Sequence, residues 1–262
     1  MESEKVMKLL DVQSITMQFG GLKAVDNLSF HINKGELMGL IGPNGAGKTT
    51  VFNMLTGVYK PTLGEIHFNG QAVQGRKPFE ISRLGMTRTF QNIRLFKEIS
   101  VLENVMIGAT QHQQYSMLDA ALITDAYSQA EKALREKSLE LLSIFGLESK
   151  AYDEAGSLPY GEQRELEIVR ALATQPQLIC LDEPAAGMNH QETHSLMETI
   201  AKIRKDFNLT VLLIEHDMKL VMGICERIVV LDHGVKIEEG TPSVIQNSPK
   251  VIEAYLGVEE VH

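Results

Sequence analysis

An α/β fold is predicted: a parallel sheet between helices, joined by an antiparallel β layer and interrupted by an inserted helical subdomain. Three observations predict it. Continuous apolar runs at Leu37-Met38-Gly39-Leu40-Ile41, Leu178-Ile179-Cys180-Leu181 and Thr210-Val211-Leu212-Leu213-Ile214 alternate with helical patterns, as parallel strands covered on both faces do. Residues 7–38 instead alternate apolar and polar side chains, which fits an antiparallel layer with one face in water. Residues 101–150 carry apolar residues at helical spacing and no strand signal.

Taken in order, Met7–Phe19 and Val25–Ile32 are the first strands, punctuated by Gly20-Gly21 and Asn33-Lys34-Gly35. Leu37–Ile41 is the first buried strand, with a helix at Lys48–Leu55, and residues 62–70 add a strand to the antiparallel layer. Leu118–Tyr127 and Ala130–Phe145 are helical; Leu134, Leu141, Leu142 and Phe145 share a stripe, and Gly146 is placed to end it. Helices at Gln163–Ala173 and Gln191–Lys205 separate the later strands. Arg227–Leu231, closed by Asp232-His233-Gly234, is a fourth parallel strand, placed at the sheet edge. Residues 1–84 and 171–240 then form the α/β core with its β layer, and 85–170 the helical subdomain. Residues 241–262 are a connector with a short helix at Val251–Leu256 and an acidic tail.

At 262 residues the chain can bury a core, and 44% hydrophobic with 23% charged residues is ordinary for a globular protein, which excludes disorder. Lys plus Arg number 25 against 34 Asp plus Glu, a formal charge of −9. That balance argues against nucleic acid as a partner, though not against a local phosphate site. Cys180 and Cys225 lie in apolar runs, so a disulfide framework is excluded. No stretch approaches the roughly 20 apolar residues needed to span a bilayer, and the start, MESEKVMKLLDV, has no signal-peptide core. A cytoplasmic protein is expected, reaching a membrane only by docking on something else.

The chemistry begins at residue 42. Gly42-Pro43-Asn44-Gly45-Ala46-Gly47-Lys48-Thr49 has the spacing G-x-x-x-x-G-K-[ST], followed by Thr50, between a buried strand and a helix. Glycines let successive N–H groups turn inward onto phosphate oxygens, and the helix adds about half a positive charge at its N-terminus. Lys48 would bridge the β- and γ-phosphates of a nucleotide, and the Thr49 hydroxyl would ligate Mg²⁺.

Two adjacent carboxylates, Asp182 and Glu183, end the buried run at 178–181, where ligands sit in open α/β sheets. Asp182 would hold Mg²⁺ through its water shell, and Glu183 would polarise the attacking water. The run at 210–214 ends in Glu215-His216-Asp217. A lone histidine there is ordinarily a surface or capping residue. On the core strand following Asp182-Glu183, His216 could instead donate to the γ-phosphate.

With these motifs in this order, the chain resembles the ATP-binding subunits of ABC transporters over nearly its whole length, a P-loop NTPase core carrying a helical insertion. The resemblance implies that Phe19 stacks on adenine, with Val25 beside it. It implies that Gln91, in Arg88-Thr89-Phe90-Gln91-Asn92, joins Mg²⁺ and the γ-phosphate to the helical subdomain. The family signature Leu-Ser-Gly-Gly-Gln, which contacts the γ-phosphate held by the opposite subunit, corresponds to Leu158-Pro159-Tyr160-Gly161-Glu162. Pro159 removes a hydroxyl and a backbone donor. The contact across subunits is therefore expected to rest on N–H groups near Gly161 and the helix dipole. The Ser-Ala-Leu-Asp that usually follows the acidic pair is here Ala186-Gly187-Met188-Asn189, which alters the inter-subunit loop and the role of Asn189.

The stretches LPYGEQR…LEIVRAL, LDEPAAGMN, LLIEHDMKLVMGICERI and EGTP…AYLG are most similar to the ATPases of bacterial high-affinity importers of branched-chain amino acids, the LivG type. The lipopolysaccharide-export ATPase is the nearest rival; it shares Glu215-His216-Asp217-Met218 but keeps a more ordinary signature. Importers of other amino acids, urea or amides, and soluble ABC ATPases, remain alternatives. The resemblance implies a second ATPase subunit, homologous or identical, that closes face to face over two ATP molecules. It also implies two membrane permease subunits, contacted near Gln91–Glu98 through Ile93, Leu95 and Phe96, and an extracytoplasmic amino-acid-binding protein. Such a subunit is cytoplasmic and peripheral on the inner face of the cell membrane.

Overall fold

The computed structural model describes residues 7–112, 119, 122 and 124–256. They fall into two compact units. One takes the chain up to Arg88, Gln177–Glu183 and the chain from Ile200 on; the other takes Thr89–Pro176 and Pro184–Thr199.

In chain order the elements begin with β1 (Lys8–Phe19), β2 (Leu22–Asn33), β3 (Leu37–Ile41) and α1 (Lys48–Leu55), then β4 (Leu63–Phe68), β5 (Gln71–Ala72), α2 (Pro78–Arg83) and β6 (Met86–Arg88). Three helices follow: α3 (Val101–Ala109), α4 (Asp125–Ile144) and α5 (Tyr160–Ala173). The remainder is β7 (Leu178–Asp182), α6 (His190–Asp206), β8 (Thr210–Ile214), α7 (Met218–Ile224), β9 (Arg227–Asp232), β10 (Val235–Gly240), α8 (Pro242–Gln246) and α9 (Pro249–Leu256).

The first unit holds two sheets. One is antiparallel, in the order β2-β1-β4-β5, with Val12 opposite Phe30 and Ile66. Its alternation buries Leu10, Val12, Leu28, Phe30 and Ile32 on one face. The other runs β10-β9-β3-β8-β7-β6, parallel except where β10 turns back on β9. Every residue of β3, β7 and β8 is buried, as their unbroken apolar runs require. One core joins the sheets through α1, with Phe52 and Phe68 fully enclosed among Leu40, Leu178 and Leu212. Burying a side chain of that size stabilises by about 2–3 kcal/mol.

Three strands go beyond the sequence expectation: the two-residue β5, β6 and β10. β9 does not lie at the edge, because β10, with the charged sequence VKIEEG, covers it. β6 forms the opposite edge beside β7; three residues, MTR, are too few for alternation to register. Cys180 and Cys225 are free and buried, and burial pushes both thiols up to about 12, so neither is a nucleophile.

The second unit is helical. Ser100 caps α3 reciprocally with Glu103: the Glu103 amide donates to Ser100 Oγ at 3.1 Å and the Ser100 amide to Glu103 Oε2 at 2.8 Å. Gly146, at φ +69°, terminates α4 as expected. Leu134, Leu141 and Leu142 of α4 pack on Val101, Val105, Leu166 and Val169, with Phe145 partly buried beside them. Of the helix expected at Leu118–Tyr127, residue 118 and its neighbours 120, 121 and 123 lie outside the described residues, as does the acidic tail at 257–262; α4 starts at Asp125 and α5 starts at Tyr160, three residues earlier than expected.

Candidate functional site

The chain leaves β3 through Gly42, whose φ of +154° and close packing exclude a side chain: a Cβ there would stand 2.1 Å from the Leu231 carbonyl oxygen. Gly47, at φ +99°, is similarly pressed, with the Ala24 carbonyl oxygen 2.6 Å from a would-be Cβ. The 232–234 turn braces the loop, as the Gly234 amide donates to the Ala46 carbonyl at 3.1 Å. Gly47 caps α1 without a side-chain hydrogen bond, and no acidic residue stands in the first turn. The amides of that turn, without intrahelical acceptors, therefore meet no built-in anion. Beside them lies a cavity of about 360 Å³ lined by Leu22–Ala24, Gly45–Thr50 and His233.

Lys48 is buried and donates to the carbonyls of Gly42 at 2.7 Å and Pro43 at 2.9 Å. Burial pushes its pKa down, while the Glu183 and Asp182 carboxylates pull it back up. Thr49 is exposed and Thr50 half-buried; Asn44 and Gly45 are exposed. Val25 is fully buried, 3.3 Å from a would-be Gly47 Cβ. It packs against the loop from behind. Phe19 is 43% exposed, edge-on to Tyr59 with ring centroids 5.4 Å apart.

Parallel pairing brings the other candidates to the same end of this sheet. Asp182 stands opposite Ile214, and the Glu183 amide donates to the Ile214 carbonyl at 2.9 Å. Glu183 adopts φ +46°, a left-handed backbone that a non-glycine residue holds only under local constraint. His216 Nδ1 lies 3.8 Å from Glu183 Oε2, and Asp217 caps α7 by accepting from the Lys219 and Leu220 amides. Arg88 Nη2 lies 3.4 Å from Asp182 Oδ2, while its Nη1 donates to Asn53 and Thr56 and its guanidinium covers the Phe52 ring at 4.8 Å. Sequence reasoning overlooked Arg88, Tyr59 and His233. A larger cavity of about 650 Å³, lined by Met218, Met222, Ile252 and Leu256, touches none of these groups.

The second unit carries the remaining candidates. Pro159 caps α5 through its backbone alone, leaving Tyr160 at its first position, 48% exposed. Glu162 is tied to Lys150, whose Nζ stands 2.6 Å from both carboxylate oxygens. Gly161 faces Glu192: a Cβ on it would lie 3.5 Å from the Glu192 carboxyl carbon. The Asn189 side-chain oxygen accepts from the Gln191 and Glu192 amides, capping α6, and Glu192 Oε2 accepts from the Asn189 amide at 2.9 Å. Gln91 is exposed, and its backbone carbonyl accepts from Arg164. Asn104 of α3 pins the nearby chain, exchanging hydrogen bonds with the Phe96 amide and carbonyl at 3.0 and 2.9 Å.

A glycine loop rising from β3, with Asp182-Glu183 two strands away in the same sheet, is the architecture of a P-loop nucleotide-binding protein. Residues 25–186 match the family described as ABC transporter. A nucleotide-free ATP-binding cassette from an ABC transporter superposes with a TM-score of 0.83 at 32% identity, covering 96% of this chain and all of that one. The chain belongs to the ABC transporter family, as one of its ATP-binding cassettes.

Its branch is equally plain. Residues 235–261 match the family described as branched-chain amino acid ATP-binding cassette transporter. The high-affinity branched-chain amino acid transport ATP-binding protein LivG of Salmonella typhimurium is 48% identical over 249 residues, 95% of this chain and 98% of that protein. BraF of Pseudomonas aeruginosa, with the same description, is 47% identical over the same shares.

Proposed function

We propose that this chain is the ATP-hydrolysing subunit of an importer for branched-chain amino acids, acting at the inner face of the cell membrane. The observation that carries the reading is the gathering of residues 42–50, Asp182, Glu183 and His216 at one end of a single sheet. The amides of residues 45–50 would hold the phosphates, and Lys48 would exchange its two carbonyl partners for phosphate oxygens. The Thr49 hydroxyl and the Asp182 carboxylate are hard oxygen donors suited to Mg²⁺, which would neutralise charge on the phosphates. Glu183 would orient and deprotonate the attacking water, with His216 donating to the γ-phosphate. Phe19 would stack on adenine, backed by Tyr59.

Gln91 would join Mg²⁺ and the γ-phosphate to the helical subdomain, while Pro159, Tyr160, Gly161, Glu162 and Asn189 are proposed to face the nucleotide held by a second cassette, homologous or identical. The neighbourhood of Gly161, at the start of a 14-residue helix, offers backbone N–H groups to the γ-phosphate without the family's serine. Two permease subunits would dock near Gln91–Glu98, where Phe96 is 49% exposed while Leu95 packs on the local core. A binding protein outside the membrane would deliver the amino acid. Among the described residues no helix is long and apolar enough to cross a membrane.

Reconstitution tests this assignment. Vesicles carrying the chain with its permeases, supplied with binding protein and internal ATP, should accumulate leucine, isoleucine or valine. Accumulation of urea, an amide or a different amino acid instead would reassign the cargo, and export of lipopolysaccharide would reassign the branch.

A further inference from the structure

The two stretches in which this chain departs from its family's pattern, Pro159-Tyr160 and Ala186–Asn189, touch one another. A Cβ on Gly187, which sits at φ +80°, would lie 2.9 Å from Cε1 of Tyr160, so the ring fills the volume that a side chain at 187 would need. The ring is anchored from its other end. Arg164 Nη2 donates to the Tyr160 hydroxyl at 3.1 Å, with the guanidinium 5.5 Å from the ring centroid. Arg164 is 3% exposed, and it also donates to two successive backbone carbonyls: Nη1 to Phe90 at 2.8 Å and Nη2 to Gln91. Its charge is met by the equally buried Glu167 at 3.5 Å.

We propose that Tyr160 and Arg164 are positioning residues that fasten three functional segments into one body: the Gln91 segment, the start of α5 at Gly161, and the loop at 185–189. The inference rests on the ATPase reading above. A planar guanidinium with five donors can hold two adjacent carbonyls and a hydroxyl at once, which an ammonium cannot. Tyr160 replaces a glycine of the family signature, and Gly187 replaces an alanine of the following loop; the contact makes these one complementary exchange. A displacement of Gln91 then passes through its carbonyl to Arg164, and from there to Gly161 and the 185–189 loop.

A double-mutant cycle on the full chain tests this, reading kcat and KM for ATP hydrolysis beside ATP affinity and thermal unfolding. Arg164→Lys and Tyr160→Leu should each lower kcat by about ten- to a hundredfold, as small misplacements of reacting groups do. ATP affinity, which rests on residues 42–50, should stay within about twofold. In the double variant the loss should match that of the worse single variant, because both break the same body. Tyr160→Phe, which keeps the ring on Gly187, should recover most of the loss seen with Leu. Val169→Ala, a core truncation in the same helix, is the control for stability alone. Losses that simply add, an unmoved kcat, or an equal loss in Val169→Ala would each overturn the proposal. Wild-type chain that fails to bind ATP would instead overturn the reading on which it rests, and a variant that binds ATP normally separates the two failures. Should Arg164→Lys not fold, the Leu and Phe variants at 160 decide alone.

Discussion

His216 Nδ1 stands 3.8 Å from Glu183 Oε2, although the two residues leave different strands. They meet because β7 and β8 are parallel neighbours that end level, Asp182 opposite Ile214, with the Glu183 amide donating to the Ile214 carbonyl at 2.9 Å. In the proposed reaction, an imidazole placed there would donate to the γ-phosphate beside the water-orienting carboxylate. His216→Ala should lower kcat for ATP hydrolysis by about a hundredfold or more, while equilibrium binding of ATP changes little. Hydrolysis at the wild-type rate would remove His216 from the reaction.

Lys48 is a buried cation in the phosphate loop, held by the Gly42 and Pro43 carbonyls. Its replacement by Ala removes a donor from both carbonyls, the Pro43 one keeping the Ala46 amide at 3.1 Å, and would leave the β- and γ-phosphates without their proposed counter-charge. ATP affinity, read by titration with a fluorescent analogue, should fall by about tenfold or more. Titration curves that superpose on the wild type would mean that the phosphates sit elsewhere.

At Pro159 the helix cap is made by backbone alone. Pro159→Ser restores a hydroxyl able to accept from the first turn, a substitution of the kind that stabilises a helix by about 1 kcal/mol. Hydrolysis should be unchanged or faster and the unfolding temperature slightly higher. A collapse in activity would show that the proline itself is needed for the contact across subunits.

Glu165 is raised to about 7 from an ordinary 4.5 by burial and by the nearby carboxylates Glu162 and Glu192, with Lys150 opposing. Between those two values the folded chain keeps a proton that the unfolded chain has released. By linkage, this group's contribution to stability therefore declines as pH rises through that window. Glu165→Gln should raise the unfolding temperature at pH 8 and flatten its fall between pH 5 and pH 7, readable by calorimetry. A variant with the wild-type slope would place the titration elsewhere.

Much of the site was legible in the sequence because the chemistry depends on residues close together along the chain. The loop at 42–49 and the pair Asp182-Glu183 announce themselves by spacing, and the buried strands that carry them announce themselves by unbroken apolar runs. What escaped was set by pairing between distant segments. Arg88 lies on a three-residue strand, too short for a pattern, and gains its meaning only when β6 pairs with β7 and brings it to Asp182. β10 alternates nothing recognisable because it is a charged edge, so β9 was expected at the margin it does not occupy. Val25, which only the family resemblance places beside an adenine, is turned into the core by its β2 register. Tyr160 and Gly187 each read as an isolated departure until the fold set one against the other.

Glu183→Gln gives the most direct test, because it removes the proposed proton acceptor while keeping the shape of the side chain. Purified variant and wild-type chain should be compared for equilibrium binding of Mg-ATP and for phosphate release under the same conditions. Binding should be retained with turnover lost by about a hundredfold or more. Phosphate release by the variant at the wild-type rate would contradict the assignment of this site.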